Sequence, residues 1–250
     1  MSRKRKLTLL FFSLIFILSL FNIIKILYEY YSSNKSYIDL QDNVIQNNSA
    51  IIDSSNEDTW HEYIDIDFDK LKNINSDIIG WIYFENETIN YPILFSGDNE
   101  TYLNKLYTGE VSKSASIFLD GNNTTDFTDS HMLIYGHNMR DLTMFGKLKY
   151  YNQQEDYYEN NKYFQIHTND VIQRYEIFAF SIVDETYNIE TIKTKDNQLF
   201  SYLITNIQNN SNTLSDINIS QYDKIITLCT CSSENIRLLV HAIKIAEYKK

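Results

Sequence analysis

Eight short runs of β-branched and aromatic residues constrain this chain more than anything else in it. They lie at 78–84, 89–95, 115–119, 131–135, 163–168, 171–183, 224–229 and 237–246. Most are of strand length, and turn formers such as Asn169-Asp170 punctuate them. Helical spacing of apolar residues occurs at 144–151 and 195–209, and Asp67 reads as the cap of a short helix over 67–72. Many short strands and few helices predict a mainly β fold, a barrel or a sandwich. Pro92 places the second run near an edge or a bend.

The N-terminus has a different character. Arg3, Lys4, Arg5 and Lys6 precede an almost wholly apolar stretch over 7–27. About 20 such residues cross a hydrocarbon core. The basic cluster holds the N-terminus in the cytoplasm. The residues that follow, Ile26-Leu27-Tyr28-Glu29-Tyr30, are too bulky for a signal-peptidase site, so the stretch reads as an uncleaved anchor. Residues 1–6 are then a cytoplasmic basic tag and 7–27 a transmembrane helix. Residues 28–63 form a polar extracellular stalk and 64–250 a folded extracellular domain. Residues 1–25 hold five basic residues and no acid, so the net charge of −11 becomes −16 on the remainder. A surface this acidic argues against a nucleic-acid partner.

Both cysteines fall in Thr227-Leu228-Cys229-Thr230-Cys231, at the end of the seventh run. A disulfide is the ordinary reading for an extracellular pair. Two positions along a strand set the Cα atoms about 6.6 Å apart, at the edge of disulfide reach, and close a tiny loop. No Cys or His has the spacing of a zinc site. A working thiol remains, and it calls for a base and a cation. His137 follows the strand of 131–135 on what reads as a loop, a setting that suits catalysis and equally a loop-capping role. Arg237 opens the run after the cysteines.

These residues resemble those of a known family. Tyr135-Gly136-His137-Asn138-Met139 with Thr143-Met144-Phe145-Gly146 is similar to the histidine segment of class B sortases, cysteine transpeptidases of Gram-positive bacteria. Thr227 to Cys231 matches the sortase Thr-Leu-x-Thr-Cys signature, and Arg237-Leu238-Leu239-Val240-His241 the arginine strand. Gly80-Trp81-Ile82, Ile89-Asn90-Tyr91-Pro92-Ile93 and Ser116-Ile117-Phe118-Leu119-Asp120 look like further class B landmarks. The likeness runs from about 66 to 246.

The resemblance implies a sortase-type eight-stranded β-barrel with N-terminal helices and a helix before the cysteine strand, for which 195–209 is suited. It implies Cys231 as nucleophile, His137 as acid and base, and Arg237 as the cation at the developing oxyanion. Arg140 and Arg174 are the alternatives to Arg237. The implied substrates are surface proteins with a C-terminal sorting signal of Asn-Pro-x-Thr or Ser-Pro-x-Thr type. The implied acceptor is an amine of lipid II or a peptidoglycan stem peptide. Asn99, Leu103, Tyr135, Ile189 (within 185–190) and Thr230 would line the substrate groove. No cofactor or metal is implied. Two features depart from the family: only five residues separate Cys231 from Arg237, and Cys229 stands where relatives often have serine. Cys229 is either a small packing residue or a thiol able to resolve oxidised Cys231. Rival readings are another extracellular Cys-His peptidase or transpeptidase, and a membrane-tethered adhesion module with an inert thiol.

Overall fold

Strands with an apolar face must hide both that face and their edges, and closure into a barrel does both. The computed structural model describes residues 3–46, 57–187, 189, 191–192, 197–220, 223–231 (Cys231 by its backbone) and 236–250. In chain order the elements are α1 (Arg3–Val44), β1 (Ile45–Gln46), β2 (Asp65–Ile66), α2 (Phe68–Ile74), β3 (Ile78–Phe84), β4 (Asn90–Leu94), β5 (Ile117–Leu119), β6 (His131–His137), α3 (Tyr150–Gln153), α4 (Tyr157–Asn160), β7 (Tyr163–His167), β8 (Val171–Asp184), α5 (Asn197–Asn210), β9 (Asn212–Thr213), β10 (Ile225–Cys231) and β11 (Ile236–Lys249). Hydrogen bonding follows the order β11-β10-β6-β5-β4-β3-β7-β8, and β8 pairs β11 to close eight strands. The short β9 hangs on β8. Each of the eight expected runs is a barrel strand, and the barrel rather than the sandwich is realised.

The interior takes one face of every strand, with Trp81, Ile93, Phe118, Ile134, Phe164, Leu228 and Val240 all buried. A second, smaller cluster lies outside the wall. There α5 sets Phe200 and Ile207, two turns apart, against Phe178, Ile225 and Ile243. The helix expected over 195–209 is thus present as Asn197–Asn210, with 195 and 196 outside the described residues.

Two expectations change. The stretch at 144–151 is mostly turn, and its helix starts only at Tyr150. Asp141 captures the Thr143 N–H and hydroxyl, and Leu142 and Met144 take left-handed φ values of 68° and 52°. A Cβ on Gly146 would come within 2.5 Å of the Met139 carbonyl, so this turn folds tightly onto the segment after β6. The stretch expected as a stalk also belongs to the folded body. α1 runs unbroken to Val44, and Ser33, Tyr37, Leu40 and Val44 form one buried stripe. The Tyr37 hydroxyl donates to the Ala115 carbonyl at 2.8 Å. Further on, Trp60 is buried, its carbonyl accepts from Gln165 at 2.8 Å, and Arg174 lies over its ring. Positions 47–56 of the expected flexible segment lie outside the described residues.

Beneath α5 a buried polar chain crosses the barrel wall. The Thr227 hydroxyl stands 2.8 Å from His131 Nε2 and 2.9 Å from His241 Nδ1. His241 Nε2 in turn meets the Ser181 hydroxyl at 3.0 Å. The histidine in the last strand is therefore a satisfied core group. Burial drives the pKa values of His241 and His167 down to about 3. Unfolded imidazoles titrate near 6.5, so the fold holds both neutral while the unfolded chain binds protons. Their stabilising contribution is whole above pH ~6.5 and is lost as pH falls toward 3. Thermal midpoints are expected to drop across that window, and a flat profile would contradict the assignment. Thr227→Val keeps the shape but strips both histidines of their shared hydroxyl. It should cost about 1–3 kcal/mol, read as a lower urea midpoint at unchanged slope.

Candidate active site

The site is set by strand register. β10 lies between β6, to which it is parallel, and β11, to which it is antiparallel. The Cα partner of Cys231 is His137 on one side and Arg237 on the other. In-register residues of neighbouring strands share a face, and strands lie about 4.8 Å apart. His137, Cys231 and Arg237 thus occupy one transverse row. The next row on that face is Tyr135, Cys229 and Leu239, and the third is Leu133, Thr227 and His241. Of the alternative cations, Arg174 is held bidentate by Glu85 at 2.9 and 2.8 Å, and Arg140 is exposed beyond the end of β6. Positions 232–235 of the short connection to β11 lie outside the described residues.

His137 ends β6 rather than starting a loop, and the chain beyond it is pinned back on it. Its carbonyl accepts the Phe145 N–H at 3.0 Å, and Asn138 pairs with Met144. Gly136 makes this packing possible, because a Cβ there would meet the Phe145 ring at 2.5 Å. Burial lowers the imidazole pKa below its ordinary 6.5, opposed by the backbone carbonyls of Leu103 and Lys113. Nε2 is buried and meets no hydrogen-bond partner among the described residues. A neutral imidazole whose Nε2 has no partner among the described residues, one strand from a cysteine, is a base or an acid in waiting.

Asn99 and Tyr135 converge on a residue to which the sequence reading gives no site role. Buried Asp120 accepts from Asn99 Nδ2 at 2.8 Å and from the Tyr135 hydroxyl at 3.1 Å. Its other oxygen takes the Asn122 N–H at 2.8 Å. Asn99 returns a hydrogen bond from the Gly121 N–H, where a Cβ would lie 2.8 Å from the Gly97 carbonyl. Tyr135 stacks on Phe118 with centroids 5.2 Å apart. Burial and the Asp120 charge raise the Tyr135 pKa, so its hydroxyl stays a donor, and Arg237 pulls the other way. In the sequence Asp120 appears only as the last residue of the Ser116–Asp120 landmark, just after the strand Ile117–Leu119, with no role attached.

Ile189 packs with Tyr135, Val183 and Tyr187 around Leu133, Cys229 and Leu239, so it joins the same face. Of its expected neighbours, 188 and 190 lie outside the described residues. A cavity of about 260 Å³ continues below them, between Ile189, Leu239, Leu199 and the Thr227–His241 pair. Leu103 is exposed and approaches His137 through its backbone. Cys229 is 1 % exposed in an apolar setting, which favours the packing role. Thr230 is corrected. Strand alternation puts it on the opposite face of β10, fully buried in the barrel, so it does not line the groove.

Known proteins resemble this chain in sequence and in fold. The sortase domain model matches residues 85–245. Sortase B of Listeria monocytogenes is 35 % identical over 167 residues, 66 % of each chain and so just under two thirds of that relative's length. Sortase B of Staphylococcus aureus is 31 % identical over 189 residues, covering 74 % of this chain and 76 % of the relative. The crystal structure of sortase B from B. anthracis in complex with AAEK1 superposes with a TM-score of 0.74 at 28 % identity, covering 88 % of this chain and 99 % of that one.

The Asp120 cluster can be tested as a unit. Asp120→Ala and Asn99→Ala should be non-additive in denaturant melts, with a coupling of about 0.5–3 kcal/mol. Additive effects would show that Asp120 does not tie the 97–99 turn to β6.

Proposed function

The chain belongs to the class B sortases, a family of cysteine transpeptidases, and from that membership we propose that it anchors secreted proteins to the cell wall through a thioacyl intermediate on Cys231. The substrate is a C-terminal sorting signal of Asn-Pro-x-Thr or Ser-Pro-x-Thr type. The Cys231 sulfur attacks the threonine carbonyl carbon and a C–S bond forms. Negative charge gathers on the carbonyl oxygen, where Arg237 supplies a fixed positive charge that cannot be lost by deprotonation. The C–N bond then breaks as the His137 imidazolium gives its proton to the leaving amide nitrogen. An amine of lipid II or a peptidoglycan stem peptide attacks the thioester. Neutral His137 takes its proton, and Cys231 is released.

The observation that carries this reading is the register row His137–Cys231–Arg237 across three neighbouring strands. The lowered His137 pKa adds a constraint. Free thiols titrate near 8.5, above an imidazole already below 6.5, so at neutral pH only a minority of the enzyme holds the thiolate–imidazolium pair. Asn99, Leu103, Tyr135 and Ile189 contact the sorting signal in this reading, with Asp120 orienting two of them. α1 supplies the anchor. It is long and apolar enough to cross a membrane, and the basic residues of its first turn favour an N-terminus in the cytoplasm and a barrel outside.

Incubation with sorting peptides, followed by mass spectrometry, tests the scheme. A thioacyl adduct on Cys231 is expected in the wild type and none in Cys231→Ala. A folded protein that forms no adduct with any sorting peptide would refute it. Arg237→Lys should lower kcat by roughly 100-fold or more, because an ammonium does not reproduce the guanidinium fork. Cys229→Ser should keep most transpeptidation under reducing conditions, and its loss would exclude a packing role.

A further inference from the structure

α1 does not end with its apolar stretch. It continues as one helix, and Ser33 is already buried against the barrel. The six-residue step from Leu27 to Ser33 rises about 9 Å. The polar layer outside a hydrocarbon core is itself about 5–8 Å thick. Whatever packs on α1 between 25 and 33 therefore stands at headgroup level.

A tight loop packs there. The Leu106 N–H donates to the Glu110 carbonyl and the Gly109 N–H to the Leu106 carbonyl, both at 2.8 Å. Gly109 takes φ 86°, and Lys105 bridges Val111 at the base. Leu106, Val111 and Ser112 share a shallow cleft with Lys25, Tyr28 and Glu29. The Ser33 and Ser112 hydroxyls are 2.8 Å apart, and Lys113 Nζ lies 4.0 Å from Glu29. At this junction Val111 is 77 % exposed, Tyr28 69 % and Tyr31 65 %. A single exposed valine means little. Here it stands beside Tyr28, with Tyr31 at the same height on another face of α1, at the end of an apolar span where aromatic rings anchor in the interface. Lys25 has the long stem to reach the same layer.

We infer that residues 105–113 are a lipid-surface contact, with Val111, Tyr28 and Tyr31 resting in the headgroup layer of the bilayer that holds α1. The inference rests on the reading of α1 as a membrane span and adds a second point of contact to it. The same loop reaches the site, since the Leu103 and Lys113 carbonyls face the His137 ring. The bilayer contact thus turns the His137 edge of the row toward the membrane, the side from which a lipid-borne amine arrives.

The test uses the full chain in phosphatidylcholine/phosphatidylglycerol nanodiscs, with p-benzoylphenylalanine at Val111, at Phe16 within the span, or at Tyr202 on the outer face of α5. Phe16, Val111 and Tyr202 are all exposed, so the fold tolerates the probe. Irradiation and mass spectrometry should find lipid adducts from positions 16 and 111 and none above background from 202. Adduct at 16 without adduct at 111 overturns the contact and leaves the anchor standing. Adduct to a second copy of the chain at 111, or to lipid equally at 202, also overturns it. No lipid adduct at 16 removes the span reading, and the contact with it.

Discussion

The pairing of β10 with its two neighbours is the constraint on which the rest depends. Cys231 is the last residue of β10, His137 the last of β6, and Arg237 the second of β11. Because β6 runs parallel to β10, their ends lie on one rim; because β11 is antiparallel, its start lies there too. Three residues far apart in sequence meet without any long loop having to position them. A one-residue slip in either ladder would turn a member of the row to the other face. The buried chain from His131 through Thr227 to His241 and Ser181 joins β6, β10, β11 and β8 lower down. It opposes such a slip, because an unpartnered buried imidazole is costly.

The same face divides by depth. The top row carries polar and ionisable groups, the next is Tyr135, Cys229 and Leu239, and below it α5 and its flanks cover the wall. A catalytic thiol needs access, whereas its neighbour two residues down needs apolar cover. Register sets the two cysteines apart: Cys231 ends β10 at the rim, and Cys229, one row below, lies under Ile189 and Tyr187. Asp120 does for the rim what the histidine chain does for the wall. It ties Asn99 and Tyr135, from two separate segments, into one rigid edge.

The barrel was legible because strand-length apolar runs have few other solutions. The rim residues were legible because their motifs are local. What escaped was everything decided by distant partners. Met144 and Leu148 have helical spacing, but the Asp141–Thr143 turn and the close approach at Gly146 impose another path. Thr230 sits between two site cysteines in sequence, and the pleat alone sends it inward. Tyr37 opens a helical stripe with Leu40 and Val44, and its own partners, Ala115 and Ser116, are more than seventy residues away. Asp120 looks like any acid at a strand end until its two donors arrive from elsewhere.

That stripe alters how the anchor must be viewed. A flexible stalk would leave the barrel free to tumble, at an effective concentration near the membrane set by linker length. A helix that packs directly on the barrel removes this freedom. The Tyr37 hydroxyl bonds the Ala115 carbonyl and the Ser116 hydroxyl, and Ser36 bonds Tyr107, so the helix grips the segment that begins beside His137 at Leu103. With α1 read as a membrane span, orientation toward the bilayer and placement of the imidazole share one structural element. The last turns of α1 accordingly belong to the machinery of the site as much as to its tether, because they brace the backbone against which His137 rests.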